Sequence, residues 1–135
     1  MGASPLADGL EASGAASLSL RSRNVGVLCD DPWRAEALLL QQAAASLGAR
    51  AALVRPDLDA ASGPAELAHT ARVLGRLYDA ILCVDLAPSI VAALSETAGV
   101  PVIANDVAQW FARRSTTSDA LDDARLFLLG QLAAL

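Results

Sequence analysis

Acidic side chains follow the apolar runs of this chain at points where they could act together. Asp30 and Asp31 follow the first run, Asp85 follows the third, and Asn105 and Asp106 follow the fourth. Ligands of open parallel sheets bind at the carboxyl ends of the strands, so these residues are expected to line one cleft. Their carboxylates would repel a phosphate dianion and could hold a hard cation such as Mg²⁺. The alternative is that Asp31 caps a helix and the others are solvated loop residues.

Two cysteines and one histidine are the other candidates for chemistry. Cys29 and Cys83 each stand near the end of an apolar run, where a redox or metal pair is conceivable. Free cysteine is more often a small buried apolar residue, and no basic neighbour would lower the pKa of either thiol. His69 has no second histidine or cysteine at ligand spacing, which favours a solvated helix face. The sequence therefore predicts no metal site at these three residues and no cofactor.

Short apolar runs alternate with helical patterns along the chain. The predicted strands are 24–29, 51–54, 80–84 and 100–104, and the predicted helices are 33–47, 64–77, 88–98 and a last helix after Ser118. Asp31 and Pro32 signal the start of the first helix, and Gly48 and Gly99 signal helix ends. Alternating strands and helices predict βαβ units. We expect an α/β fold, a single three-layer domain with a mainly parallel four-stranded sheet.

Domain organisation follows from composition. Residues 1–22 are rich in Ala, Ser and Gly and lack the basic and apolar regions of a secretory signal, which predicts a flexible arm. Residues 23–135 are predicted to be the α/β domain. The apolar tail 126–135 is too short to cross a bilayer, so no membrane partner is expected.

Charge and cysteine content restrict the function classes. The chain of 135 residues has a net charge of -5, and its ten basic residues are all arginine. Lysine-dependent chemistry is therefore excluded, and the absence of a basic cluster argues against a nucleic-acid partner. Two cysteines do not form a disulfide framework, so the expected location is the reducing cytoplasm.

Three segments resemble one enzyme family. Residues 70–76 are Thr-Ala-Arg-Val-Leu-Gly-Arg, residues 78–81 are Tyr-Asp-Ala-Ile, and residues 98–102 are Ala-Gly-Val-Pro-Val. This pattern is similar to the N-terminal, carbamoyl-phosphate-binding domain of aspartate and ornithine carbamoyltransferases. The resemblance covers about 25–105 and implies that Thr70, Ala71, Arg72 and Arg76 belong to a helix retained from that family.

The phosphate-binding positions of that family are altered. Where the family has Ser-Thr-Arg-Thr-Arg at a helix N-terminus, this chain has Trp33, Arg34, Ala35, Glu36 and Ala37. Backbone amides, hydroxyls and arginine forks hold the phosphate there in the family, and here the hydroxyls are lost and a carboxylate is added.

Two further departures concern catalysis. The family's carbamoyl-binding arginine is replaced by Val84, and its His-Pro-Thr-Gln sequence after the fourth strand is not restored. The second domain of the family, which binds the amino-acid substrate, has no counterpart in this sequence. We therefore expect no catalytic residues and a degenerate carbamoyltransferase-like domain, linked to amino-acid metabolism by resemblance. Its expected role is an assembly or small-molecule-binding module.

A signalling domain is the alternative to a carbamoyltransferase-like domain. An Asp-Asp pair after the first strand and Asp85 after the third resemble the start of a response-regulator receiver domain. Receivers require a lysine after the fifth strand, and this chain has none. A receiver-like or divalent-cation-binding acidic site therefore remains the second hypothesis.

Assembly is the remaining expectation. The family domain builds a trimer, and the tail of this chain carries more apolar side chains than one helix face can bury: Leu126, Phe127, Leu128, Leu129, Leu132 and Leu135. This predicts a homo-oligomer, a trimer or a dimer. A small-molecule ligand and a full-length carbamoyltransferase are the other candidate partners. Trp110 and Phe111 could be an interface anchor or cover the sheet as core.

Overall fold

Four strands and five helices make up the computed structural model, which describes residues 20–31, 33–58, 61–113 and 120–132. The strands are β1 (Asn24–Leu28), β2 (Arg50–Val54), β3 (Ala80–Cys83) and β4 (Val102–Ile103). The helices are α1 (Ala35–Ser46), α2 (Pro64–Leu77), α3 (Pro88–Thr97), α4 (Asn105–Arg113) and α5 (Ala120–Leu132).

The sheet is parallel throughout and has the strand order β2-β1-β3-β4. In the register of the central strands, Leu28 lies opposite both Val54 and Cys83. All four residues of β3 are buried, as expected of a strand covered by helices on both faces. The predicted α/β fold with a four-stranded, mainly parallel sheet is therefore confirmed.

Two apolar clusters cover the two faces of this sheet. One face packs against α1, α4 and α5, and its largest buried side chains include Leu40, Trp110 and Leu128. The other face packs against α2 and α3 through Leu74 and Leu94. Because the first helix after β1 and the helix after β3 lie on opposite faces, the chain diverges at the carboxyl ends of these two neighbouring strands.

A close backbone contact joins α2 to the end of α3. A Cβ atom added to Gly75 would lie 1.9 Å from the carbonyl oxygen of Ala98, so only glycine allows this approach. Asp79 ties the next strand to β1, since its Oδ2 accepts the N–H of Asn24 at 2.8 Å and its N–H donates to the Asn24 carbonyl at 2.7 Å. The segments that carry the family resemblance therefore contain residues that the packing requires.

The first helix begins later than its sequence signal predicts. Asp31 does not cap α1, because Arg34 is the N-cap residue and makes no side-chain cap bond. Oδ1 of Asp31 instead accepts the N–H of Trp33 at 3.0 Å. An aspartate that bonds its backbone two residues on forms a turn, and this turn delays the helix to Ala35.

Two elements near the fourth strand also differ from prediction. β4 has two residues rather than the predicted 100–104; Pro101 has no N–H to donate, although its carbonyl accepts the N–H of Ile81 at 2.9 Å. Helix α4 was not predicted, because Asn105 and Asp106 were treated as loop residues. Val107 and Trp110 point into the core from this helix, which favours the core interpretation of Trp110 over the interface one.

Helix α5 packs on α1 and leaves part of its apolar surface uncovered. Nε of Arg125 donates to Oγ of Ser46 at 2.7 Å across this contact, and Nε1 of Trp110 donates to Oδ2 of Asp123 at 3.1 Å. Leu128 and Leu132 are buried, whereas the Leu126 side chain is 69% exposed. The predicted cap at residue 118 and the last leucine of the tail lie outside the described residues.

The predicted boundary between arm and domain falls near the start of the described chain. Residues 1–19 lie outside the described residues. Leu20 is buried in the core, and its N–H donates to the carbonyl of Leu47 at 3.0 Å. This residue packs with the domain, three positions before the predicted boundary at residue 23. In the described ranges, none of the helices has the length and apolar character needed to cross a membrane.

Replacing Gly75 with alanine is expected to destabilise the fold by about 1–3 kcal/mol, because the new methyl group meets a backbone oxygen that no rotamer can move. Gly130→Ala is the matched control, since it also lies within a helix and its Cβ would meet nothing within 4 Å. That variant should gain about 0.5–1 kcal/mol from helix propensity. Urea unfolding of both variants measures the difference, and equal effects would contradict the contact.

Candidate functional site

An arginine and an aspartate meet where the chain diverges between β1 and β3. Arg34 follows β1 and precedes α1, and Asp85 follows β3 and precedes α3. Nη1 of Arg34 donates to Oδ2 of Asp85 at 2.9 Å. In open parallel sheets, ligands bind in the crevice at such a point of divergence. The ion pair therefore lies across the position where this fold class places its ligands.

Glu36 holds the same guanidinium from the other side. Nη2 of Arg34 donates to Oε2 of Glu36 at 3.4 Å. Nε lies 3.3 Å from Oε1 of Glu36, close enough for attraction, but it has no well-aligned hydrogen-bond partner. The three side chains are partly exposed, at 39% for Arg34, 28% for Glu36 and 70% for Asp85.

These carboxylates determine the charge of the site. Glu36 first, and then Asp85, raise the pKa of Arg34 above its ordinary value, so the guanidinium stays charged. One positive and two negative groups give this cluster a net charge of -1. Water screens the pairs because all three side chains are partly exposed, so their main effect is on which ligands are attracted.

The backbone of Asp85 adopts a left-handed conformation with φ of 55°. Aspartate and asparagine adopt this conformation more readily than other residues with a side chain. Strained backbone of this kind concentrates at binding and catalytic sites. Here it lies in the turn that brings the carboxylate within reach of Arg34.

Three clefts open along this edge of the sheet. The first, of about 200 Å³, is lined by all three members of the charged cluster together with Cys83, Val84, Val107, Ala108 and Phe111. A second, of about 380 Å³, lies between α3 and α4 and shares Asp85 with the first. The third, of about 320 Å³, has Asn105 and Asp106 in its lining.

The structure only partly assembles the predicted acidic cleft. Asp85 and Asn105 line a common cleft, and Asn105 and Asp106 line another. Asp30 and Asp31 are exposed and line none of the three. For Asp30 this placement agrees with the alternative of a solvated loop residue, whereas Asp31 is not the helix cap that the alternative assigned to it. In the part of the chain that the structure describes, no group of three His, Cys, Asp or Glu side chains is placed to hold a metal ion.

The positions that resemble the phosphate loop have different environments. Trp33 is 82% exposed and Ala37 is fully buried in the core. Ala35 is exposed, and Arg34 and Glu36 pair with each other. Of these five residues, Arg34 and Glu36 line one of the three clefts described above, and the other three residues line none of them.

The retained family helix lies away from these clefts. On this helix Ala71 is buried, Thr70 is half-buried, and Arg72 and Arg76 are exposed. Within the described ranges neither arginine forms an ion pair. His69 is exposed on the same helix, as the solvated-face interpretation predicts.

The two cysteines are buried on opposite faces of the sheet and do not form a pair. Cys29 belongs to the cluster under α1, and Cys83 belongs to the cluster under α2 and α3. Burial raises the pKa of both thiols, that of Cys83 to about 12. The interpretation of both residues as buried apolar side chains agrees with this placement.

Comparison with known proteins gives a likeness in structure. No family model matches the chain, and no curated protein matches it. Ornithine carbamoyltransferase from Pyrococcus furiosus is similar in structure, with a TM-score of 0.56 and 24% sequence identity. The match covers 73% of this chain and 38% of that transferase. This likeness confirms a carbamoyltransferase-like fold.

Sequence reasoning missed the pairing that defines the site. It noted Arg34 and Glu36 as departures from a phosphate loop and placed Asp85 in an acidic group. It did not predict a contact between Arg34 and Asp85, which lie 51 positions apart in the sequence. The sequence predicts a parallel sheet but not its strand order, so it does not show that β1, which precedes Arg34, and β3, which precedes Asp85, are neighbours.

The buried thiols are expected to resist alkylation in the folded protein. A rise in the Cys83 pKa from 9.0 to about 12 lowers its thiolate fraction at pH 8 by about a thousandfold. Because the folded protein favours the protonated thiol, the contribution of Cys83 to the free energy of unfolding is fully present below pH 9 and is lost as pH rises through about 12. Iodoacetamide labelling mapped by mass spectrometry, with the protein in denaturant as control, measures this. Rapid labelling of the folded chain would contradict the burial.

Proposed function

We propose that this chain is a carbamoyltransferase-like domain, related to the N-terminal half of that family, which does not catalyse carbamoyl transfer and binds a small molecule at the carboxyl edge of its sheet. The observation that carries the proposal is the position of Arg34 between Asp85 and Glu36. This guanidinium is the only basic side chain lining the three clefts in the described part of the chain.

Charge is the first argument. A dianionic phosphate requires free cationic donors and N–H groups. Arg34 already donates to two carboxylates, and the cluster has a net charge of -1. A phosphate would have to displace one carboxylate and would be repelled by both. Loss of the family's anion site therefore accompanies retention of its fold.

The retained clefts are the second argument. They lie at the divergence between β1 and β3, where ligands of this fold class bind. Apolar walls with a few polar groups are typical of small-molecule sites. The cleft between α3 and α4 has this character. A domain that had only a structural role would not require such a site.

Assembly is a second candidate role, and exposed leucine and valine side chains favour it. Leu126 on α5 is 69% exposed, and Leu77 and Val73 on α2 are 55% and 39% exposed. Solvent-facing apolar side chains on two helices suit contact with a second copy, as a dimer or a trimer, or with a full-length carbamoyltransferase.

Freeing Arg34 from its two carboxylate partners provides a direct test of the proposed loss of anion binding. Phosphate and carbamoyl phosphate should not stabilise the wild-type chain against thermal unfolding. The double variant Glu36→Gln/Asp85→Asn frees Arg34 and should gain stabilisation by both anions, about 1.4 kcal/mol when the ligand reaches ten times its Kd. Glu66→Gln/Glu96→Gln makes the same charge change at exposed helix positions that neither pair with Arg34 nor line the three clefts, and this variant should gain none.

Activity provides the other half of this test. The chain mixed with carbamoyl phosphate and ornithine or aspartate should form neither citrulline nor carbamoyl aspartate above background. Product formation that disappears in Arg34→Ala would contradict the proposal, as would phosphate stabilisation of the wild-type chain.

Sedimentation velocity at high micromolar concentration tests assembly. The wild-type chain should sediment as a dimer or trimer, and Leu126→Glu should shift it towards monomer. A leucine that becomes fully buried contributes about 1.5–3 kcal/mol, so association should weaken by about ten- to a hundredfold. Gln42→Glu, an exposed position on α1, is the control for added charge and should sediment as the wild type does. A wild-type monomer would exclude this role.

A further inference from the structure

The cleft between α3 and α4 has an apolar wall with polar groups at its rim. Its volume is about 380 Å³, and Leu86 and Val91 line one side of it while Ala104 and Ala108 line the other. This volume lies near the lower end of the range for small-molecule sites. A ligand that fills it has a short apolar body.

Two polar side chains at the rim have unused hydrogen-bonding capacity. Asp85 donates no bond and accepts one, from Arg34 to Oδ2, so Oδ1 has no partner among the described residues. Asn105 lines the same cleft, and its side chain makes no hydrogen bond within the described ranges. Both residues are exposed to solvent, so a ligand can reach them.

The charge of the rim selects the kind of ligand. Arg34 balances only one of the two carboxylates that contact it, which leaves a net charge of -1 beside the cleft. A ligand with one positive group would neutralise this charge. A carboxylate or phosphate would be repelled by Asp85 and Glu36.

We propose that this cleft binds a small monocationic amine with a short aliphatic body. The ammonium group donates to Oδ1 of Asp85 and to the side-chain oxygen of Asn105, and the aliphatic body packs between Val91 on one side of the cleft and Ala108 on the other. This inference rests on the proposed function, since it specifies the ligand class of the same edge of the sheet.

Matched probes separate charge from apolar contact. Pentylamine, 1-pentanol and pentanoate share one aliphatic chain and differ in the charged or neutral group at its end. Each is titrated at equal ionic strength, with inorganic phosphate as the fourth probe, and binding is followed by amide chemical shifts. Pentylamine should bind more tightly than 1-pentanol, and pentanoate and phosphate should bind more weakly than either.

Asp85→Asn tests the ammonium contact. Asparagine tolerates the left-handed backbone at this position, so the turn is retained while the charge is removed. Pentylamine affinity should fall by about two- to fivefold, the range that an exposed charge pair supplies, and 1-pentanol affinity should stay the same. Asp30→Asn removes an exposed carboxylate outside the cleft and should change neither.

Ala108→Leu tests the apolar wall. Both Ala108 and Ala112 are exposed positions of α4, but only Ala108 lines the cleft. The added side chain should weaken pentylamine and 1-pentanol alike and shift the same amide signals less, whereas Ala112→Leu should leave both titrations unchanged.

The outcomes distinguish failure of the amine assignment from failure of the proposed small-molecule binding. Binding of 1-pentanol or pentanoate as tight as that of pentylamine would overturn the amine assignment and retain a small-molecule site. An amine preference that survives Asp85→Asn would also overturn it. Chemical-shift changes with none of the four probes would contradict both the amine assignment and the proposed binding function.

Discussion

The backbone contact between Gly75 and Ala98 is the constraint on which one face of the domain depends. Helices α2 and α3 approach closely enough there that a single methyl group would collide with a carbonyl oxygen. This approach lets Leu74 and Leu94 reach the same side of β3, where they exclude water from a strand buried on both faces. Burial of β3 in turn fixes where its carboxyl end emerges. The position of Asp85 therefore follows from a contact at the other end of these helices.

Divergence of the chain after β1 and β3 creates the crevice, and the charged side chains around it determine whether it attracts anions or cations. A general α/β sheet offers an open crevice there, with helix N-termini that attract anions. In this chain Glu36 and Asp85 both contact the guanidinium of Arg34, and the three side chains together carry a net charge of -1. In this fold class the side chains at the crevice, and not the packing of the sheet, determine which charge a ligand there should carry. Fold and ligand class are separable properties of this domain.

Much of the architecture could be predicted from the sequence because apolar runs, Pro64 and Pro88 mark its elements through local chemistry. The starts of β1 and β3 and the parallel direction of the strands follow from such signals. Helix α4 was missed since Asn105 and Asp106 are equally typical of loops, and only contact with the core identifies Val107 and Trp110 as a helical face. The pairing of Arg34 with Asp85 depends on which strands become neighbours, and no local pattern encodes that distance.

The shortness of β4 affects how the sheet meets other chains. An edge strand with free N–H and C=O groups can recruit another strand and so begin aggregation. β4 has only two residues, and Pro101 directly before it lacks an N–H group. Strand addition on this side would gain very few hydrogen bonds. The five-residue β2, with exposed Arg50 at its start, is the longer edge, so unwanted sheet growth would have to proceed mainly from there.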